Sequence, residues 1–367
     1  MFSSLSEAAS KRVPRHLRML VLTLAACNPE ALIGYDPSPE APTDAGLDAG
    51  LGDAALSDAG DAGAVGEVDA RLPIKGPLSG LPWVSGAHHS NEPAKYLEFG
   101  DWRGRTLDLA TLYVDRTSWV NVVTPTWFLD TFASFPGQLV LNEPLYPPDL
   151  GDNQACARGD YDGQWRMLGD LLVSRGRADS IVRLGWGPTD PEHAWRSDAD
   201  PSAWIACYRR VVDALRERDP SVLIDWSFDP IASSIPQSGD PYDTYPGDDY
   251  VDIVGIDAFD RYPPTRDEAA WQAKFESPLG LGRAIAFARA HGKRLSVGEW
   301  GVVTCGDSSG GDNPFYVRKM VETFRANADI LAYESYFDDR EESCSQLLDA
   351  SSAPMAAAEY VKQYSAP

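Results

Sequence analysis

Short apolar runs alternate with longer amphipathic segments from about residue 81 to the C-terminus. The eight runs cover residues 81–89, 107–114, 138–144, 180–186, 222–228, 250–259, 294–302 and 329–337. Because they are almost continuously apolar, they are typical of parallel strands buried on both faces. The segments between them have helical spacing. In residues 200–219, apolar side chains keep to one face, with Asp200 as the predicted N-cap and Pro201 at the first helical position.

This order of elements predicts the fold class. Eight alternations of strand and helix, in a region of the usual size, indicate an α/β protein with a (β/α)8 TIM barrel over residues 81–367. The alternative is an open, doubly wound sheet, which binds nucleotides at a glycine-rich turn after its first strand. No such turn follows residues 81–89, so the barrel is favoured.

The N-terminal segment has a different composition. A basic region and the apolar run "MLVLTLAA" predict a lipoprotein signal peptide over residues 1–26, and "LAAC" resembles a bacterial lipobox that ends in Cys27. Residues 27–80 are rich in Ala, Gly and Asp, which predicts a disordered acidic linker. We therefore expect an exported protein, lipid-anchored to the bacterial cell envelope, with the outer membrane as the favoured site, or extracellular.

Charge and cysteine content limit the partners, disulfides and metal sites that the chain can have. The net charge of −23 argues against nucleic acid as a partner, because phosphate binding needs a basic surface. If Cys27 carries lipid, four cysteines remain, and they allow three disulfide connectivities. We favour Cys156–Cys207 and Cys305–Cys344, because each pair would join neighbouring parts of the barrel rim. No Cys-x-x-Cys motif or histidine cluster indicates a metal site.

The C-terminal ends of the strands carry the chemistry of such barrels. Here they bear aromatic and carboxylate side chains, with no lysine nucleophile and no phosphate-binding loop. These positions are His88, His89, Asn142, Glu143, Trp186, Asp229, Asp257, Phe259, Glu299, Trp300 and Tyr336. Aromatic faces stack on sugar rings, and carboxylates act on glycosidic bonds. The pattern predicts a polysaccharide or oligosaccharide site that needs no cofactor.

Several segments of the region resemble family 26 glycoside hydrolases, the β-mannanases and their relatives. The most distinctive are "YPGDDYVDIVGID" (residues 245–257) and "GEWG" (residues 298–301), and the likeness extends over nearly all of residues 81–367. The resemblance implies a retaining barrel glycosidase with two catalytic glutamates. It assigns the nucleophile to Glu299, at the end of the seventh strand.

The chain departs from the family pattern at two positions. In "RLGWGPTD", Gly187 stands where the family has its acid/base glutamate, and the flanking residues stay in register. Phe259 stands where relatives commonly have a tyrosine that bonds the nucleophile. A relocated acid is expected at Glu143, in "LNEP" after the third strand, with Asp190 and Glu192 as the other candidates.

Three hypotheses remain open. The first, slightly favoured, is a hydrolase of a β-linked polysaccharide with a relocated acid or reduced activity. The second is a glycan-binding pseudoenzyme, and the third is a structural surface lipoprotein with a filled cleft. Trp186 and Trp300 are the predicted sugar-stacking residues. Further candidate substrate-binding residues are His88, His89, Asp257, Phe259 and Tyr336. We expect a monomer.

Overall fold

The computed structural model of the chain describes residues 74–230, 240–340, 344–349 and 351–365. The predicted signal peptide, the lipidation at Cys27 and nearly all of the predicted linker lie outside these ranges. Within them, no helix combines the length and the apolar character needed to span a membrane.

The eight predicted strands form a closed parallel barrel. Each strand pairs with its neighbours in chain order, and β8 closes the barrel against β1. The strands are β1 Ser85–His88, β2 Leu109–Tyr113, β3 Gln138–Glu143, β4 Ile181–Leu184, β5 Leu223–Phe228, β6 Ile253–Phe259, β7 Arg294–Gly301 and β8 Leu331–Phe337. The predicted (β/α)8 fold is therefore confirmed.

Helices surround the barrel. They are α1 Pro93–Arg103, α2 Trp119–Val123, α3 Thr126–Thr131, α4 Asn153–Ala157, α5 Asp162–Ser174, α6 Pro201–Arg218, α7 Glu268–Phe275, α8 Leu281–Ala290, α9 Pro314–Ala326 and α10 Pro354–Ser365, with a short 3-10 helix at Pro241–Thr244. Helix α6 begins as predicted, because the Asp200 side chain accepts a hydrogen bond from the Ala203 amide at 2.9 Å. The segment after β6 contains two helices, since Pro278 interrupts its pattern.

Strand β7 contains a bulge that decides which side chains enter the barrel. Gly255 of β6 pairs with Ser296, but Asp257, two residues further, pairs with Glu299, three residues further. The extra residue breaks the alternation of inward and outward side chains. Ser296 and Glu299 consequently both face the barrel interior, and Trp300 faces the helices.

Two disulfides tie the outer layer together. Cys156–Cys207 joins α4 to α6, and Cys305–Cys344 joins the segments that follow β7 and β8. These are the two pairings favoured from the sequence. Both lie outside the barrel interior, so their contribution is to hold the loops and helices around the rim.

Candidate active site

A cavity of about 510 Å³ opens at the C-terminal end of the barrel. Its aromatic lining comes from Tyr113, Trp186, Phe259 and Phe337. Its carboxylates come from Asp115, Asp190, Asp229, Asp257 and Glu299. The combination of ring faces and carboxylates is the one expected of a sugar site.

Glu299 lies at the floor of this cavity. Its side chain is 13% exposed, and its Oε1 accepts two hydrogen bonds, from the Tyr113 hydroxyl at 2.6 Å and from Arg183 Nη1 at 2.5 Å. Its Oε2 has no hydrogen-bond partner among the described residues. One carboxylate oxygen is thus fixed by two donors, while the other is available to a substrate.

Arg183 is the buried cation beneath the site. Its guanidinium contacts Asp257 and Glu299, and it also donates to Asn142 Oδ1 at 3.0 Å and Ser227 Oγ at 2.8 Å. Burial by itself would lower the pKa of Arg183, but the two carboxylates raise it well above its ordinary value. A permanent positive charge therefore lies between two acids in the barrel interior.

Gly298, the residue before Glu299, makes room for that cation. A Cβ atom at position 298 would lie 2.9 Å from Arg183 Nε, closer than ordinary packing permits. The glycine of "GEWG" thus lets the guanidinium reach Glu299, and the motif has a steric reason for its composition.

Tyr113, on β2, supplies the hydroxyl that Phe259 lacks. It packs against Trp186 and Phe337, with ring centroids 5.8 Å and 5.9 Å away. Burial, and then the charge of Glu299, raise the pKa of Tyr113 well above its ordinary value. The phenol therefore stays protonated and acts as a hydrogen-bond donor to Glu299.

Sequence reasoning missed both donors to Glu299. Arg183 is the one charged residue within the buried strand "IVRL", and a buried arginine requires partners, which was a usable signal. Tyr113 ends a strand, so the same rule that selected the other rim residues applies to it.

Asp257 and Phe259, two of the predicted binding residues, do line the cavity. Burial raises the pKa of Asp257, the charge of Glu299 adds to this effect, and Arg183 opposes it. Since its carboxylate is already bonded to Arg183, Asp257 belongs to the floor of the site. Phe259 packs 5.8 Å from Phe337 and carries the Arg261 guanidinium 5.1 Å from its ring centroid.

The end of β4 is built without a catalytic side chain. Gly187 lines the cavity with φ of +57°, a left-handed conformation that favours glycine. Trp186 also lines the cavity, but it is only 7% exposed because Trp195, 4.9 Å away, and His193, 5.5 Å away, cover its other surfaces. Trp186 therefore forms the wall of the cavity.

The prediction that Glu143 replaces the missing acid is wrong. Glu143 pairs with Leu184, whereas the preceding pair, Asn142 and Arg183, points into the barrel. Because side chains alternate along a strand, Glu143 faces the helical layer. It is fully buried, neither carboxylate oxygen has a partner in the described part of the chain, and burial raises its pKa well above the ordinary value.

Two predicted sugar-binding aromatics also lie outside the cavity. The β7 bulge turns Trp300 outward, where it is fully buried and donates to Glu334 Oε2 at 2.6 Å. Tyr336 is fully buried too, and its hydroxyl donates to the Ser345 carbonyl at 2.8 Å. Both rings belong to the packing between the barrel and its helices, so the prediction that they contact sugar is wrong.

His88 and His89 do not line the cavity either. The His88 ring packs beneath two of its walls, 4.8 Å from Tyr113 and 4.6 Å from Phe337, and its Nδ1 lies 2.9 Å from the Thr111 carbonyl. Burial lowers its pKa, so the ring is neutral near pH 7. His89 Nε2 lies 3.5 Å from Asp338. His88 therefore supports the wall of the cavity from behind, and neither histidine is part of its lining.

Of the two other predicted acids, the structure brings one into the cavity. Asp190 lines it, whereas Glu192 is exposed to solvent and lies outside its lining. The Asp190 carboxylate accepts the Glu192 amide at 2.8 Å. No group of three or more potential ligands is placed to hold a metal in the described part of the chain.

Comparison with known proteins finds a similar family and similar solved structures. The sequence model of glycosyl hydrolase family 26 matches residues 186–291, a segment that begins at Trp186 and ends before β7. No curated protein sequence matches the chain significantly.

Solved structures of the family have the same fold. A Cellulomonas fimi endo-β-1,4-mannanase double mutant matches with a TM-score of 0.57 and 14% identity, over 78% of this chain and 71% of its own. The catalytic domain of the Bacillus sp. JAMB-750 GH26 endo-β-1,4-mannanase matches with a TM-score of 0.56 and 15% identity, over 78% of this chain and 87% of its own. GH26C from Muricauda sp. MAR_2010_75 matches with a TM-score of 0.56 and 17% identity, over 79% of this chain and 87% of its own. These structures show that the fold is shared, and the family model supports the resemblance to family 26 over residues 186–291.

Proposed function

We propose that this chain, a (β/α)8 barrel with the features of glycosyl hydrolase family 26, is a retaining glycoside hydrolase of β-linked polysaccharide. β-Mannan or a related β-glycan is the proposed substrate, since the similar solved structures include endo-β-1,4-mannanases. One observation carries the proposal. Glu299 stands on the floor of an open cavity with Oε1 held by Tyr113 and Arg183 and Oε2 unbonded within the described structure.

This arrangement suits nucleophilic attack. The nucleophile must be positioned beneath the anomeric carbon, with the attacking oxygen unobstructed. Two donors on Oε1 restrict rotation of the carboxylate. The Arg183 charge also stabilises the carboxylate when it leaves again in the second step, as the glycosyl–enzyme ester is hydrolysed.

A glycan-binding protein without turnover is the second candidate function, and Gly187 favours it. Loss of a general acid/base costs about 10²–10⁴ in rate, so a site with none would turn over natural glycosides slowly. Against the third hypothesis, a structural scaffold with a filled cleft, stands the open cavity of about 510 Å³.

Turnover of activated substrates by the full chain separates these functions. Dinitrophenyl β-mannosides and β-glucosides, whose leaving group needs no acid, would be assayed with and without azide. We expect turnover that Glu299→Ala abolishes. Binding of β-glycans without turnover of any of these substrates would contradict hydrolysis and leave the second candidate.

Envelope anchoring through Cys27 is likewise a proposal, supported by the basic region, the short apolar run and the lipobox-like "LAAC". A lipid on Cys27 would place the barrel at a membrane surface at the end of the acidic linker. We expect Cys27→Ser to move the protein from the membrane fraction to the soluble fraction with unchanged turnover. Retention of the variant in the membrane fraction would contradict the anchor.

A further inference from the structure

The space that a catalytic side chain at position 187 would enter is occupied by His193. A Cβ atom built on Gly187 would lie 2.8 Å from His193 Cε1 and 2.9 Å from its Nδ1. The φ of +57° adds backbone strain for any residue other than glycine. The loop after β4 has therefore folded its own imidazole over the position where the family pattern has glutamate.

The imidazole is held in one orientation. Its Nδ1 lies 2.9 Å from the Gly187 carbonyl oxygen, and its ring stacks on Trp195 with centroids 4.5 Å apart and planes 23° apart. Because a carbonyl only accepts hydrogen bonds, Nδ1 carries a proton. Nε2 is thus the nitrogen that can gain or lose one, and it has no hydrogen-bond partner among the described residues.

His193 lines the same cavity as Glu299. The charged groups that act on the ring are Asp190, Arg116 and Glu299. Burial lowers its pKa below the ordinary 6.5, and Arg116 adds to this effect. The bond to Gly187 and the two carboxylates oppose it. The ring therefore changes its protonation state on the acidic side of neutrality, in a cavity with several other carboxylates.

We propose that His193 is the general acid and base of this site, through Nε2. The inference rests on the hydrolase function proposed above. In the first step, Glu299 bonds to the anomeric carbon, the glycosidic C–O bond breaks, and the leaving oxygen takes the Nε2 proton. In the second step, a water gives a proton to Nε2, its oxygen bonds to the anomeric carbon, and the ester bond to Glu299 breaks.

Dependence on the leaving group tests this role. The full chain and its His193→Ala variant would be compared on a dinitrophenyl glycoside and on the phenyl glycoside of the same sugar. We expect kcat/KM of the variant to fall about 10²–10⁴-fold on the phenyl substrate and little on the dinitrophenyl substrate. Azide should then raise the turnover rate of the variant and yield the β-glycosyl azide, because this anion attacks in place of water and needs no general base.

The pH profile gives a second readout. With the phenyl substrate, kcat/KM of the unaltered chain should fall as pH rises through a pKa below 6.5, because Nε2 must be protonated for this step. The His193→Ala profile should lack that limb. His291→Ala removes a partly exposed histidine that is paired with Asp248 and is not part of the lining of this cavity, so it should change neither readout.

Different outcomes overturn different claims. Equal losses on both substrates, without azide rescue, would overturn the role of His193 and leave Glu299 as nucleophile. The same holds if Asp190→Asn shows the leaving-group dependence and His193→Ala does not. If the unaltered chain turns over neither substrate, the hydrolase proposal fails and the role of His193 falls with it. Thermal unfolding of each variant separates these outcomes from misfolding.

Discussion

The ends of β7 and β4 line the same cavity, but they differ in how a side chain is accommodated there. At β7, the Glu299 carboxylate accepts hydrogen bonds from the buried Arg183 and from the Tyr113 hydroxyl, and Gly298 leaves space for the arginine. At β4, Gly187 has a left-handed backbone conformation that is strained for other residues, and His193 occupies the space that a side chain at this position would need. The contrast shows that the surroundings of Glu299 hold a carboxylate in place, whereas position 187 has no room for one.

Replacement of Arg183 should have the largest effect on stability, because its guanidinium contacts both Asp257 and Glu299. Arg183→Met would leave Asp257 and Glu299 buried without their cation, and we expect a loss of about 3–5 kcal/mol in the free energy of unfolding. Chemical denaturation measures this loss. Arg216→Met, which breaks a partly exposed pair with Asp252, is the control and should cost much less.

The sign of the pH dependence sharpens that prediction. Without Arg183, the charge that opposes the raised pKa of Asp257 is gone, so the folded state binds protons more tightly than the unfolded state. The stability of Arg183→Met should therefore rise as pH falls from neutral towards the carboxyl range, relative to the unaltered chain. A stability difference that is independent of pH would contradict the pairing.

Tyr113 should have an intermediate effect, confined to turnover. Tyr113→Phe removes one hydrogen bond to a carboxylate, worth about 1.5–3 kcal/mol. We expect kcat to fall roughly 10- to 100-fold if most of that energy orients the nucleophile. Tyr316→Phe, which loses a buried hydroxyl bonded to the Ala258 carbonyl at 2.7 Å, is the matched control. If both variants have the same kcat, Tyr113 does not act on Glu299.

Gly187 should have a smaller effect on stability than Arg183. Gly187→Ala adds a left-handed alanine, at about 1–2 kcal/mol, and presses on His193. Gly176→Ala has φ of +67° and no atom within 4 Å of its new Cβ, so it measures the backbone cost alone. We expect Gly187→Ala to lose more stability than Gly176→Ala and to lose turnover as well. Equal stability losses in the two variants would mean that the His193 ring moves aside without a measurable energetic cost.

The sequence predicted the strands that form this site better than it predicted which side chains line it. The eight apolar runs located all eight strands, and the "GEWG" motif singled out Glu299, because periodicity and motif spacing are local properties. Glu143 was misplaced although strand alternation from Asn142 points it outward. Trp300 was misplaced for another reason: a bulge changes the side on which a residue emerges, and it depends on the register of neighbouring strands. The position of His193 over Gly187 depends on a loop conformation that no pattern encodes.

Covalent trapping of Glu299 tests the central claim most directly. A dinitrophenyl glycoside fluorinated next to the anomeric carbon forms the glycosyl–enzyme but hydrolyses slowly, so the intermediate accumulates. After digestion of the full chain, mass spectrometry should find one fluoroglycosyl group on the peptide that contains Glu299. Its absence from that peptide, or its presence on Asp190 or Asp257 instead, would contradict the assignment of Glu299 as the nucleophile.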